Sequence, residues 1–173
     1  MTDANAQILS LDLRVSYRQA YLVDDTDDAE CPGMVDDHPD HPVGILRVEE
    51  GSAFLVTGTH TGTVRFDVAV AESEPAPDRD GHEDIVEISI ESKSGSFTLH
   101  EWGGEAHEIP ALAAGPGWYR LRYHAAGMDD GPDGVAEGLA PDRYLLQIWP
   151  APESDPVVVK SASGTHQHWM TAG

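Results

Sequence analysis

The chain is poor in cations, in sulfur and in long apolar runs. Ten Lys and Arg residues stand against 31 Asp and Glu in 173 residues, a formal net charge of −21. A surface with that balance is repelled by the phosphate backbone of DNA or RNA, whose affinity for proteins comes mostly from Lys and Arg. Anionic membrane surfaces repel it for the same reason. One cysteine, Cys31, leaves no intrachain disulfide and no Cys-built zinc cage. It sits in the turn Glu30-Cys31-Pro32-Gly33. The surrounding negative charge disfavours the thiolate, which argues against a catalytic role. No apolar run has the length of a membrane span, and residues 1–7 show neither a basic nor an apolar leader region, so the expected location is cytoplasmic. Enzyme signatures are missing as well: there is no G-x-S-x-G elbow, no P-loop and no H-E-x-x-H. The expectation is a protein that is not an enzyme and uses no cofactor. Eight arginines against two lysines, with abundant Ala, Gly and Asp, match the usage of a GC-rich bacterial genome.

No segment carries a helical stripe over ten or more residues; what recurs is alternation with period two. Leu9, Leu11, Leu13, Val15 and Tyr17 alternate with Ser10, Asp12, Arg14, Ser16 and Arg18. That is the pattern of a half-buried strand, since successive side chains face opposite sides. Val64, Phe66, Val68 and Val70 repeat it, as do Val86, Ile88 and Ile90, and Tyr119, Leu121 and Tyr123. Further strands are predicted over 45–48, 53–59, 97–99, 144–149 and 157–160, with a turn at 57–62 and a Gly/Asp/Pro loop over 127–142. Short strands separated by turn residues predict an all-β fold, a single-domain antiparallel β-sandwich with long acidic loops, over residues 1–160. Residues 161–173 read as a flexible C-terminal tail. Leu112, Gly117 and Tyr119 at the entry to a late strand have the form of a tyrosine corner, although an ordinary core aromatic fits Tyr119 equally.

The acids are not spread evenly. Between residues 19 and 46 there is no Lys or Arg, and Asp24, Asp25, Asp27, Asp28, Glu30, Asp36, Asp37 and Asp40 all fall there. A second cluster runs through Glu72, Glu74, Asp78, Asp80, Glu83, Asp84, Glu87 and Glu91. Together they hold about half of all the acids. Negative loops on a rigid scaffold point to a cationic partner. Asp24, Asp25, Asp27, Asp28, Asp36, Asp37 and Asp40 are the candidate partner-binding residues, set to pair with Lys, Arg or metal of a protein partner. The alternative is a metal-binding sandwich. His38 and His41, three apart among carboxylates, suit a transition metal. Asp129, Asp130 and Asp133 have the composition of a calcium loop without EF-hand spacing. A third reading is carbohydrate handling: Glu101, Glu105 and His107 near Trp102 are residue types that act on sugars, and for binding without catalysis Trp102, Trp118 or Trp149 presents a ring, with Trp102 otherwise capping the core.

The segment Leu13-Arg14-Val15-Ser16-Tyr17-Arg18-Gln19 resembles the opening strand of the competence protein J family, with its Ser-Tyr-x-Gln element. The succession of strands over 64–70, 85–92 and 97–99 is similar too, as are the Gly-x-Tyr strand at 117–123 and the Asp-x-Tyr strand at 142–148. The resemblance implies a small cytoplasmic protein that inhibits a DNA-entry nuclease and has no catalysis of its own. This chain departs from the family in the acidic stretch 23–43, the insertion 126–141 and the tail beyond 150. No individual binding residue is carried over.

Overall fold

A strand that lays one face on a core and shows the other to water must alternate, and the strongest alternating segments all form strands. The structure, a computed structural model, describes residues 6–26, 43–132 and 134–171. In chain order the strands are β1 (Ala6–Val15), β2 (Gln19–Asp24), β3 (Leu46–Glu49), β4 (Ser52–Val56), β5 (Thr61–Ala71), β6 (Asp84–Ser92), β7 (Phe97–Glu101), β8 (Ala106–Glu108), β9 (Gly117–Ala126), β10 (Val135–Pro150) and β11 (Val157–Lys160), followed by one helix, α1 (Gly164–Thr171). They make two sheets, one of six strands in the order β1-β5-β10-β9-β6-β11 and one of five in the order β3-β4-β2-β7-β8. Every neighbouring pair is antiparallel except β5 and β10, which run parallel. The all-β sandwich is therefore the architecture.

The core holds the inward residues Leu13, Val64, Phe66, Leu121, Leu146 and Ile148 of the larger sheet together with Leu22, Leu55, Phe97 and Leu99 of the smaller. Tyr123 and Tyr144 stack at 5.5 Å, and Phe66 lies about equally far from both rings, at 6.2 and 6.1 Å. Their hydroxyls are satisfied: Tyr123 donates to the Val56 carbonyl at 2.9 Å, and Tyr144 donates to the buried Asp142 carboxylate while accepting from Gly58 N–H at 2.7 Å. Gly58 must be glycine, because a Cβ there would stand 2.3 Å from the Met128 carbonyl oxygen. The phenol of Tyr119 donates to the Gly115 carbonyl at 2.6 Å and accepts from Ala114 N–H at 3.1 Å. Tyr119 is thus both a core ring and a tie on the loop before its strand, the tyrosine-corner arrangement.

Three elements differ from expectation. β2 lies where the acidic loop was placed; all six of its residues are buried, so the chain has no alternation to show there. β10 begins at Val135, well inside the stretch read as a loop over 127–142. Its register against β5 shifts twice, around Leu139, so Gly138 and Pro141 sit at irregular pairings and not in a turn. In place of a loosely held tail, residues 164–171 form α1, docked through polar contacts. His166 is fully buried, donates from Nε2 to the Val43 carbonyl at 2.7 Å and accepts at Nδ1 from the Ser161 hydroxyl at 2.6 Å. The buried Asp84 receives Ala162 N–H, Ser163 N–H and the Ser163 hydroxyl at 2.9, 3.1 and 2.6 Å.

Candidate functional site

The acids that were to face a partner divide once their positions are known. Asp27, Asp28, Asp36, Asp37 and Asp40 lie outside the described residues, as do His38, His41 and Asp133. Asp24 and Asp25 are the two that the structure describes. Asp24 is buried, and its carboxylate ties down the turn that leads from β6 to β7. One oxygen accepts the hydroxyls of Ser92 and Ser94, each at 2.6 Å, and the other accepts Lys93 N–H at 2.9 Å. It holds the scaffold and does not face outward. Asp25 is exposed and accepts the Ser96 hydroxyl at 2.6 Å along with that of Thr98.

Much of the second acidic cluster is also committed to partners within the fold. Arg120 and Arg122 occupy outward positions of β9, yet both are buried. Glu87, opposite Arg122 in the β6–β9 register, bridges them, with Oε1 at 3.1 Å from Arg120 Nε and Oε2 at 2.7 Å from Arg122 Nε. Glu74 meets Arg122 at 2.7 Å, and that guanidinium lies 4.6 Å from the centre of the Trp149 ring. Asp84 anchors the entry to α1, Asp78 accepts Gly81 N–H at 3.1 Å, and Glu83 accepts Gly127 N–H at 2.7 Å. Glu72, Asp80 and Glu91 are exposed, as are Glu74, Asp78 and Glu83 alongside the bonds they make.

This acidic loop is fastened by a histidine pair. His124 is fully buried; its Nδ1 donates to the Leu145 carbonyl and its Nε2 accepts from Asp78 N–H, each at 3.1 Å. Both nitrogens are thereby fixed in a neutral tautomer. Burial, with the His82 ring 4.9 Å away, pushes its pKa down to about 4. Burial likewise lowers His82.

Asp129 of the candidate calcium set is engaged at the start of α1. It accepts Gly164 N–H at 3.0 Å, Thr165 N–H at 2.8 Å and the Thr165 hydroxyl at 2.7 Å, so it caps the first turn of α1 from a distant part of the chain. Those bonds hold its carboxyl below the usual range. Asp130 is exposed in the short 3-10 turn Met128–Asp130.

The most distinctive exposed feature is aromatic. Tyr17 and Arg18, in the connection from β1 to β2, have φ of 55° and 62°, left-handed values normally left to Asn and Gly. The turn is held by Arg18 N–H donating to the His60 carbonyl at 2.9 Å and by Thr57 N–H donating to the Arg18 carbonyl at 3.1 Å. It projects Tyr17, 51% exposed, against Trp102, 42% exposed, edge to face at 4.9 Å, with His60 on the other side at 5.3 Å. Trp102 therefore does not cap the core. Trp149 is buried, while Trp118 is partly exposed on a groove of about 390 Å³ that Glu91 and Glu153 also line. Next to Trp102, the β7–β8 turn brings Glu101, Glu105 and His107 together, with candidate ligand atoms within 4.8 Å of one another. An exposed aromatic pair beside carboxylates is the composition of a protein interface, an apolar anchor within a polar rim. The alternation through Tyr17 and Arg18 concealed this turn in the sequence, because a positive φ leaves no mark when Gly and Asn are absent.

No family model matches the chain, and no curated protein matches it. Solved structures do. ComJ from Bacillus subtilis, inhibitor of the DNA degrading activity of NucA, aligns at TM-score 0.56 and 12% identity over 87% of this chain and 98% of its own. The crocagin biosynthetic gene J product aligns at TM-score 0.55 and 17% identity over 86% of this chain and 99% of its own. At these identities the likeness is one of fold, and at that level it agrees with the competence protein J resemblance.

Proposed function

We propose that this protein is a non-enzymatic, acidic protein-binding module that inhibits a nuclease. One observation carries the reading: a chain of net charge −21 folds as a sandwich that matches a nuclease inhibitor over nearly all of that inhibitor's length. A nuclease must hold polyanionic DNA with cations or a bound metal. A compact acidic surface can occupy that site in place of phosphates and can steer fast association. In this reading Asp25, Asp27, Asp28, Asp36, Asp37 and Asp40 pair with cations of the partner. Asp24 fixes the strand end from which they depart, and the Tyr17–Trp102 pair supplies the apolar anchor.

The test is an inhibition assay with a purified NucA-like nuclease from the same host, read as DNA cleavage against added protein at several salt concentrations. Inhibition is expected at low salt and should weaken as salt screens the charges. The variant with all six of these aspartates replaced by Asn should keep its fold and lose at least tenfold in inhibitory potency. A variant that inhibits as well as the parent would remove the acidic stretch from the mechanism.

A further inference from the structure

The β7–β8 hairpin carries a second chemistry that partner binding does not use. Glu101 ends β7, Glu105 closes the turn and His107 lies in β8, so three donor side chains converge from one hairpin. The Glu101 carboxylate is only 10% exposed. Its bonded partners are the His107 imidazole at 2.8 Å and two backbone N–H groups at longer range, Glu105 at 3.3 Å and Arg14 at 3.4 Å. No lysine or arginine side chain among the described residues pairs with it. A carboxylate so far removed from water calls for a counter-cation; the His107 imidazole serves as one only when protonated, and a second carboxylate, Glu105, lies beside the pair. The turn is shaped around this group: at Gly104 a Cβ would stand 2.6 Å from Glu101 Oε1.

We propose that Glu101, Glu105 and His107 form a site for one divalent transition-metal ion of the zinc class, bound by two carboxylate oxygens and His107 Nε2 with a fourth position open to water. Ligand atoms around one such ion lie roughly 3–3.5 Å apart at metal–ligand distances of about 2.0–2.2 Å. Donor atoms already within 4.8 Å reach that spacing by small side-chain rotations. The imidazole sets the selectivity, because calcium and magnesium prefer oxygen-only shells whereas zinc accepts mixed nitrogen and oxygen. The metal takes the place of a proton on Nε2, so acid competes with it. Because the ligands come from β7, the turn and the three-residue edge strand β8, the ion also fastens that edge to its neighbour.

The experiment is calorimetric titration of the purified protein with zinc chloride, with calcium chloride at matched ionic strength as comparison, on the parent and on the Glu105→Gln and His107→Gln variants. Saturable zinc binding is expected, with no calcium binding at this site. Affinity should fall at least tenfold in each variant, and folding in chelator should be unchanged by circular dichroism. The parent loaded with cobalt(II) gives a readout that needs no variant: visible absorption of a four-coordinate nitrogen–oxygen site. Absence of saturable zinc binding overturns the proposal. So does a zinc isotherm that both variants leave intact, which would place the ion on histidines elsewhere, such as His166 or His168.

Discussion

Asp24 and Asp25 are neighbours in the chain, yet only the first is out of water, and substitution should separate them. Asp24→Asn removes the charge from an acceptor of three short hydrogen bonds and turns an amide N–H₂ toward donors. Hydrogen bonds to a charged group are worth about 1.5–3 kcal/mol each, and leaving donors unmet adds to the loss. A destabilisation of about 2 kcal/mol or more is expected by urea unfolding, whereas Asp25→Asn should change stability by less than about 0.5 kcal/mol. Equal effects would contradict the assignment of Asp24 to the scaffold. His124 gives the matching pH prediction. Its pKa is about 4 when folded, below the ordinary value of 6.5, so the unfolded chain takes up the proton first. The stability this neutral imidazole allows is whole above pH ~6.5 and is lost as pH falls from there toward ~4, by up to about 3 kcal/mol. His82 moves in the same direction. Unfolding midpoints measured across this window should fall with acid in the parent and fall less in His124→Gln. A parallel profile in that variant would shift the effect to other groups.

Among the elements, the turn that carries the chain from β1 in one sheet to β2 in the other is held in an uncommon backbone conformation. Non-glycine residues in left-handed geometry cost roughly 1–2 kcal/mol each, and such strain collects where a side chain is needed for another purpose. Tyr17→Asn, a residue suited to this turn, should raise stability by about 0.5–1 kcal/mol while weakening the partner complex. A variant that gains stability and binds as before would make Tyr17 a structural accident. What the sequence revealed of the elements follows from how each is buried. β1, β5 and β6 were legible because one face of each is more open than the other, and β9 because its second face carries Arg120, Arg122 and His124, polar side chains buried by ion pairs and hydrogen bonds. β2 was not, because six buried residues in a row carry no period. α1 was not, because its single fully buried residue is a histidine held by hydrogen bonds, which hydrophobic patterning ignores. The candidate site was legible as residue types only. Glu101, Glu105 and His107 are visible in the sequence, but their convergence depends on a hairpin closed at Gly104. The seven aspartates were counted as one class, although the turn at residues 92–96 draws Asp24 inward.

At the scale of the molecule, three of the ten cations, Arg47, Arg120 and Arg122, are buried and leave seven to offset the acids. Arg120 and Arg122 are buried against Glu74 and Glu87, so two of the scarce positive charges serve the interior. The outer charge repels itself, and screening should therefore stabilise the fold. Melting temperature is expected to rise between roughly 10 and 500 mM NaCl, within a Debye length that shrinks over that range from about 30 Å to under 10 Å. A flat or falling curve would mean that the acids are already neutralised by bound ions or by one another. The acidic stretch itself is moored at both ends. Asp24 is tied to the Ser92–Ser94 turn on one side, and the Val43 carbonyl is held by His166 of the terminal helix on the other. Folding therefore fixes both ends of this stretch, and the entropy of bringing those ends together is lost in that step. The helix at the end of the chain thus reaches across the molecule to hold one end of the acidic stretch in place.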